Sequence, residues 1–242
     1  MKDWFKVWFD TDYYHILYKY RDELEARKFI TNLCEKIHLA SSAHVLDLAC
    51  GRGRHARILA EYAGLVTGFD ISASSIDFAV LQGTPGVQYF VHDMRKPYGC
   101  EVYDAVFNLF TSFGYFDTME EHVEAIHHIY TSLKAGGLLI LDYLNAHAVK
   151  QGISPNQIIE TEGISFEITK YIEGESIVKQ IVVNDAGRIY TFFERVRLFN
   201  ATLLQKLIER SGLIVRQLYG DIHLNPFSKD KSDRVILIAE KP

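Results

Sequence analysis

The residues best placed to do chemistry in this 242-residue chain lie in one run, Val45-Leu46-Asp47-Leu48-Ala49-Cys50-Gly51-Arg52-Gly53-Arg54-His55-Ala56. An apolar stretch ends on an acid, two glycines follow, and a helix-forming segment begins. Glycine tolerates left-handed turns and, lacking Cβ, lets a flat ligand approach the backbone beside a helix N-terminus. Two more acids follow the next apolar runs: Asp70 in Gly68-Phe69-Asp70-Ile71-Ser72, and Asp93 in His92-Asp93-Met94. Carboxylates accept hydrogen bonds, so these acids beside a glycine turn suit a nucleoside, rich in hydroxyl and amino donors.

Such acids act together only if successive strands end at one edge of a sheet. The chain alternates accordingly: strand over 45–48, helix over 54–62, strand over 65–69, helix over 74–81, strand over 87–91. A strand over 105–109, a helix around 120–133 and a strand over 138–143 continue the series. Repeated units of this kind require right-handed crossovers and a parallel sheet covered on both faces. The strands carry few charges, as burial on both faces demands. Upstream, Ile16, Tyr20, Leu24, Phe29, Leu33 and Ile37 keep a three-to-four spacing that predicts one helix over about 12–38. Downstream, Ile164-Ser165-Phe166-Glu167-Ile168-Thr169 alternates as a half-buried antiparallel strand does. Turn signals at 173–176 and 184–187 separate it from strands over 177–183 and 189–199. A helix over 201–210, capped by Asn200 and ended by Gly212, precedes strands over 213–219 and 234–240. The fold class is therefore α/β: a Rossmann-like, mostly parallel seven-stranded sheet with helices on both faces. Its last strand is antiparallel, and an antiparallel β insert follows strand five.

Two cofactor classes fit the turn. Gly51-Arg52-Gly53-Arg54-His55-Ala56 satisfies G-x-G-x-x-A, and Asp70 follows Gly51 by 19 residues, where an acid binds ribose hydroxyls. An NAD(P)-dependent oxidoreductase is thus one reading. Asp47 disfavours it, because a pyrophosphate would meet a negative charge there, whereas a methionine ammonium would not. Asp93 offers an acceptor for an adenine amino group, and the helix–strand–strand ending suits an inserted antiparallel strand. These features favour S-adenosylmethionine. A module that binds this cofactor without catalysis would keep the same acids but lack an open acceptor pocket.

Together the segments resemble the class I S-adenosylmethionine-dependent methyltransferases from about His44 to Glu240. Asp47-Leu48-Ala49-Cys50-Gly51-Arg52-Gly53 looks like their first motif, with Ala49 where glycine is usual, and Gly68–Ser72 looks like the ribose-binding acid motif. His92-Asp93-Met94, Tyr103–Phe110 and Leu133-Lys134-Ala135-Gly136-Gly137 resemble the adenine-side motif, the fourth-strand motif and the turn before strand five. Asn108–Phe116 and the insert are similar to those of small-molecule members, aminosugar N-methyltransferases among them. The resemblance implies one methyltransferase domain over 1–242, with 1–40 as an N-terminal helical cap and 150–199 as the β insert. It also implies the site. Gly51 and Gly53 open the backbone, Ala49 holds the matching turn position, and Asp47 balances the methionine ammonium. Asp70 with Ile71 takes the ribose, Asp93 with Met94 takes the adenine, and Asn108 lies by the methionine moiety. From the cap, Tyr13, Tyr14, Tyr18 and Arg21 are candidates, Arg21 for the methionine carboxylate.

Methyl transfer from a sulfonium is an in-line displacement that depends chiefly on alignment and exclusion of water. The candidate bases are His15 and His223. His122, His127 and His128 fall on one helix without the metal-pair spacing for 122 and 127, so they read as surface and no metal is expected. Phe110 and Phe113 read as pocket walls, and Tyr143 as facing either substrate or core. Residues 219–223 and 232–234 read as a pocket border. Net charge is −5, no long basic stretch occurs, and no Pro-Pro-Tyr follows Asn108, which together argue against a nucleic-acid acceptor. No apolar run reaches membrane-span length. Cys34, Cys50 and Cys100 are widely spaced and suggest a reducing cytoplasm. The expected partner is a small molecule of unidentified class, with the insert as substrate wall or homodimer contact.

Overall fold

The computed structural model describes residues 3–20, 23–154 and 156–242. From the N-terminus, α1 (Trp4–Trp8), α2 (Asp12–Leu17) and α3 (Glu23–Lys36) precede β1 (His44–Leu48), α4 (Arg54–Leu59), β2 (Leu65–Asp70) and α5 (Ala73–Leu81). Next come β3 (Val87–Val91), β4 (Tyr103–Asn108), α6 (Met119–Ser132), β5 (Leu133–Leu144) and α7 (Ala146–Gln151). Four antiparallel strands follow: β6 (Asn156–Thr161), β7 (Ile164–Glu173), β8 (Ser176–Asp185) and β9 (Arg188–Arg197). The chain then runs through α8 (Ala201–Glu209), β10 (Ile214–Tyr219) and β11 (Arg234–Glu240).

The main sheet has the order β10-β11-β5-β4-β1-β2-β3, with β11 antiparallel to both of its neighbours. Strand order reverses between β1 and β4, which opens a crevice at their carboxyl ends. Alternate residues of one strand enter different cores. Leu46, Val106 and Leu139 join one hydrophobic cluster, while Val45, Ala105 and Ile140 join another with α3 and α4. Both faces of the sheet are therefore covered, as the strand composition requires. The second sheet, β6-β7-β8-β9, gives Phe166, Ile168, Ile181 and Val183 to the first cluster. Among the described residues, no helix is long and apolar enough to cross a membrane.

Local capping accounts for several helix starts. Ser72 accepts from Ser75 N–H at α5, Thr118 and Glu121 form a capping box at α6, and Asn200 accepts from Leu203 N–H at α8. Three sequence expectations change. The single helix over 12–38 is two helices, because the chain leaves α2 at Tyr18 and the tyrosine turns toward β9. The insert has four strands, not three; β6 is an edge strand with two apolar residues in a mostly exposed run, too weak a pattern to read. The turn expected over 133–137 lies within β5, as a register irregularity against β4.

Candidate functional site

Beyond β1 the chain leaves the sheet through left-handed residues at Ala49 (φ 66°), Gly51 (φ 54°) and Gly53 (φ 77°). Cys50 N–H donates to Phe69 O at 2.9 Å and Gly53 N–H to Cys50 O at 3.0 Å, which fixes the turn against β2. The two glycines serve different ends. A Cβ at Gly51 would meet no atom within 4 Å, so this position faces open space. At Gly53 it would lie 2.3 Å from Tyr89 Oη, and at Gly68 2.6 Å from Tyr89 Cδ1. Gly53 therefore makes room for a tyrosine of β3, which corrects the expectation that it opens the backbone to a ligand.

The acids differ as much. Asp70 accepts from Gly51 N–H on Oδ2 (2.8 Å) and from Ser72 N–H on Oδ1 (2.9 Å). Burial raises its pKa against the Ser72, Gly51 and Ile71 amide hydrogen bonds. A carboxylate has about four acceptor sites, so these amides do not exhaust it. Asp93 accepts from Arg95 N–H and Nε on Oδ1 (both 3.0 Å) and from Nη2 on Oδ2 (2.7 Å). Burial alone would lift the Asp93 carboxyl, but the hydrogen bonds and charge of Arg95 prevail and hold it low. Asp47 is only 1% exposed and lies beneath the turn. Burial pushes it up to about 7, against a hydrogen bond from Ala56 N–H and the charge of Arg54. Its Oδ2 has no hydrogen-bond partner among the described residues. Asn108, one residue past Phe107, which is paired with Asp47 in register, is fully buried, its Nδ2 donating to Leu48 O at 2.9 Å and so tying β4 to β1.

A cavity of about 420 Å³ opens above this edge. Trp4, Phe9, Tyr14 and Tyr18 of the N-terminal segment wall one side. Asp10 latches that segment to the loop after β2 and the start of α5, accepting from Ser72 Oγ (2.7 Å) and Ser74 N–H (3.0 Å). From β9, Glu194 and Val196 complete the wall. Glu194 Oε1 accepts from Trp8 Nε1 at 2.8 Å and Tyr18 Oη at 2.7 Å. Past β4, Phe110 (φ 61°) and Thr111 (φ 55°) are left-handed without being glycine, a conformation worth about 1–2 kcal/mol of strain each. Asp142 of β5 holds both: Phe110 N–H donates to its Oδ2 (2.8 Å) and Thr111 N–H to its carbonyl (3.0 Å). Arg234 of β11 clamps Asp142 Oδ2 at 2.7 Å and stands 5.4 Å from the Phe110 ring centre.

Of the residues expected at the site, the cavity wall brings together Ala49, Gly51, Asp70, Ile71, Asp93, Met94, Tyr18 and His15. Asp47, Gly53 and Asn108 lie beneath it, and Arg21 falls outside the described residues. His15 Nε2 stands 3.4 Å from Ser75 Oγ. His223 is exposed and absent from the wall, in a loop held to α3 by Asn32 Nδ2 donating to Ile222 O at 2.8 Å. The 219–223 stretch thus packs away from the pocket it was expected to border. Tyr13 turns outward, its hydroxyl donating to Asp185 at 2.9 Å. Phe113 and Tyr143 are core residues, the tyrosine hydroxyl donating to Arg197 O. His122 is buried rather than on the surface, and burial lowers its pKa to about 4. No metal-binding group of acids, histidines or cysteines occurs among the described residues. Glu194 and Tyr115 were missed; an alternating strand does not tell which face meets a cavity formed by another sheet.

Comparison with known proteins bears on this geometry. A family profile described as a methyltransferase domain matches residues 45–137. The provisionally named methyltransferase YqeM of Bacillus subtilis (strain 168) is 32% identical over 217 residues, covering 84% of this chain and 86% of that protein. The solved CcbJ methyltransferase from Streptomyces caelestis superposes with a TM-score of 0.81 at 18% identity, covering 98% of each chain. CalS10, an amino pentose methyltransferase from Micromonospora echinaspora solved with S-adenosylmethionine bound, gives a TM-score of 0.71 at 19% identity, covering 96% of this chain and 98% of that one. At such identities the structural likenesses concern the fold. The residues present fit the cofactor of this fold. Gly51 leaves open space at the cavity, Asp70 retains acceptor capacity, and Asp47 Oδ2 is a buried acceptor lacking a partner among the described residues. By its relation to YqeM, its turn and its sheet order, the chain belongs to the class I S-adenosylmethionine-dependent methyltransferases.

Proposed function

We propose that the protein methylates a small molecule within the 420 Å³ cavity. The observation that carries this reading is the enclosure. The glycine turn lies on one side, the aromatic segment of α1 and α2 on another, and β9 on a third, in a volume typical of small-ligand sites. Asp70 and Ile71 would hold the ribose, Asp93 and Met94 the adenine side, and Ala49 and Gly51 the methionine portion. Asp47 and Asn108 would support that portion from beneath, and Tyr18 and Arg21 from the cap. The cofactor supplies a sulfonium-bound methyl group with a good leaving group attached. The chain's own part is to align the acceptor and exclude water, which the aromatic wall suits. His15 is the base candidate that the wall retains.

CalS10 acts on an amino pentose, which supports a small polar acceptor here too. The second sheet is taken as substrate wall, since Glu194 and Val196 look into the cavity. One working unit over 1–242 is supported by the hydrophobic cluster shared between the sheets. Cys34, Cys50 and Cys100 are all free, which supports a reducing cytoplasmic setting. Calorimetry with S-adenosylhomocysteine tests the site. Asp70→Ala should weaken binding about 30-fold or more, the loss of charge-assisted hydrogen bonds worth about 2 kcal/mol or above; unchanged affinity removes Asp70 from the site. Labelled methyl groups should pass to a small-metabolite fraction. Label in RNA or protein instead would overturn the acceptor class.

A further inference from the structure

Among the described residues, Glu194 is the one charged side chain that the second sheet places in the cavity wall. It is held from three elements. Trp8 of α1 and Tyr18 beyond α2 both donate to Oε1, and Lys179 of β8, its cross-strand neighbour, stands 3.5 Å from Oε2. That last distance is long for a hydrogen bond, so Oε2 keeps acceptor capacity. Lys179 Nζ also donates to Tyr18 Oη and lies 4.5 Å from the Tyr18 ring centre. The wall around Glu194 is aromatic: Tyr14 packs 5.0 Å from Tyr18 and 4.9 Å from Phe9, and Phe9 packs 5.5 Å from Tyr115. Among the described residues, the other titratable groups on this side of the wall are Tyr14, Tyr115, Glu23, His15, whose Nε2 stands 3.4 Å from Ser75 Oγ, and Lys19, paired with Glu162 at 2.6 Å.

This combination selects among nucleophiles. A thiol or carbon acid offers Oε2 no strong donor. An alcohol must lose its proton as it reacts, so it needs a base as well as a hydrogen-bond partner. A neutral amine needs no base. It can give an N–H to Oε2 while its lone pair points elsewhere, and the rings then favour the positive charge arising on nitrogen. Lys179 has the complementary effect: a nearby ammonium disfavours protonation of the arriving amine, which would otherwise bind to the carboxylate without a lone pair.

Resting on the small-molecule reading above, we propose that the acceptor is a primary or secondary amine whose N–H is held by Glu194 Oε2. Tyr18 and Lys179 act as positioning residues behind it. In the transfer the nitrogen lone pair forms the new N–C bond as the S–C bond breaks. That bond's electron pair stays on sulfur, the positive charge passes to nitrogen, and the extra proton leaves to solvent with the product.

The chain's two tryptophans report on this wall, Trp4 by lining it and Trp8 by its bond to Glu194. With the full chain saturated by S-adenosylhomocysteine, benzylamine, N-methylbenzylamine and benzyl alcohol are titrated against tryptophan fluorescence. Wild type should bind the amines about tenfold more tightly than the alcohol, and Glu194→Gln should reduce the difference to about twofold or less, a change of about 1 kcal/mol. Lys179→Met should keep the preference but shift the amine's binding-versus-pH curve to lower pH, a readout that remains if the glutamine variant fails to fold. Equal binding of amine and alcohol, no saturable amine signal, or a preference that survives Glu194→Gln overturns the proposal. If S-adenosylhomocysteine itself does not bind by calorimetry, the reading beneath the proposal fails instead.

Discussion

Asp47 is a buried acid whose Oδ2 has no hydrogen-bond partner among the described residues. Its carboxyl is buried under the turn, and burial lifts its pKa from 3.8 to about 7 against the Ala56 hydrogen bond. The folded chain therefore keeps a proton that the unfolded chain releases. The stability linked to this group is complete below about pH 4 and declines as pH rises through 7, by up to about 4 kcal/mol at 1.4 kcal/mol per tenfold. In thermal melts of the ligand-free protein, wild type should lose ground to Asp47→Asn between pH 5 and pH 8; parallel curves would show that Asp47 does not titrate in that window. The acid itself was legible in the sequence, because a strand-ending aspartate before glycines is a recognisable pattern. Its depth was not. Sequence order cannot tell a side chain at the cavity, such as Asp70, from one a single layer below it, such as Asp47 or Asn108. Nor could it show that Gly53 accommodates Tyr89, which arrives from β3 across the sheet.

At the scale of elements, α1 and α2 are short helices whose stability is tertiary. Trp4, Phe5 and Trp8 are buried, whereas an isolated helix of this length would be marginal in water. The exposed latch at Asp10 should set how often this segment opens. Asp10→Ala removes acceptance from Ser72 and Ser74, worth about 1 kcal/mol. Amides over 4–17 should then exchange several-fold faster, with little change in the main sheet. Hydrogen-exchange mass spectrometry checks this, and unchanged exchange would mean that the aromatic packing alone holds the segment. The strands of the main sheet were legible because short apolar runs punctuated by turns have few other solutions; β3 and β11 fall on the expected residues, while β5 begins earlier, at Leu133. Edge elements were not. β6 lies half out of the core, and the break after α2 interrupts a helical spacing that continues past it, because a contact with a distant glutamate outweighs local periodicity.

The molecule as a whole has its cavity between parts that share a core. Phe166, fully buried on β7, belongs to the same cluster as Leu46 of β1 and Val235 of β11. Phe166→Ala should therefore destabilise the entire fold by about 3–5 kcal/mol. Far-UV circular dichroism and tryptophan fluorescence should shift together in one transition. An early, separate loss of the second sheet would show instead that the two sheets unfold independently. The sheet order carries a different consequence. β11, made after every other strand, is not at an edge but lies between β5 and β10. During synthesis the ribosome releases β1 to β5 and the whole second sheet before the strand that links β10 to them exists. Until β11 emerges, the nascent chain therefore has no partner for the β5 edge in its native register, the stage at which an unpaired edge is most exposed to pairing with another chain.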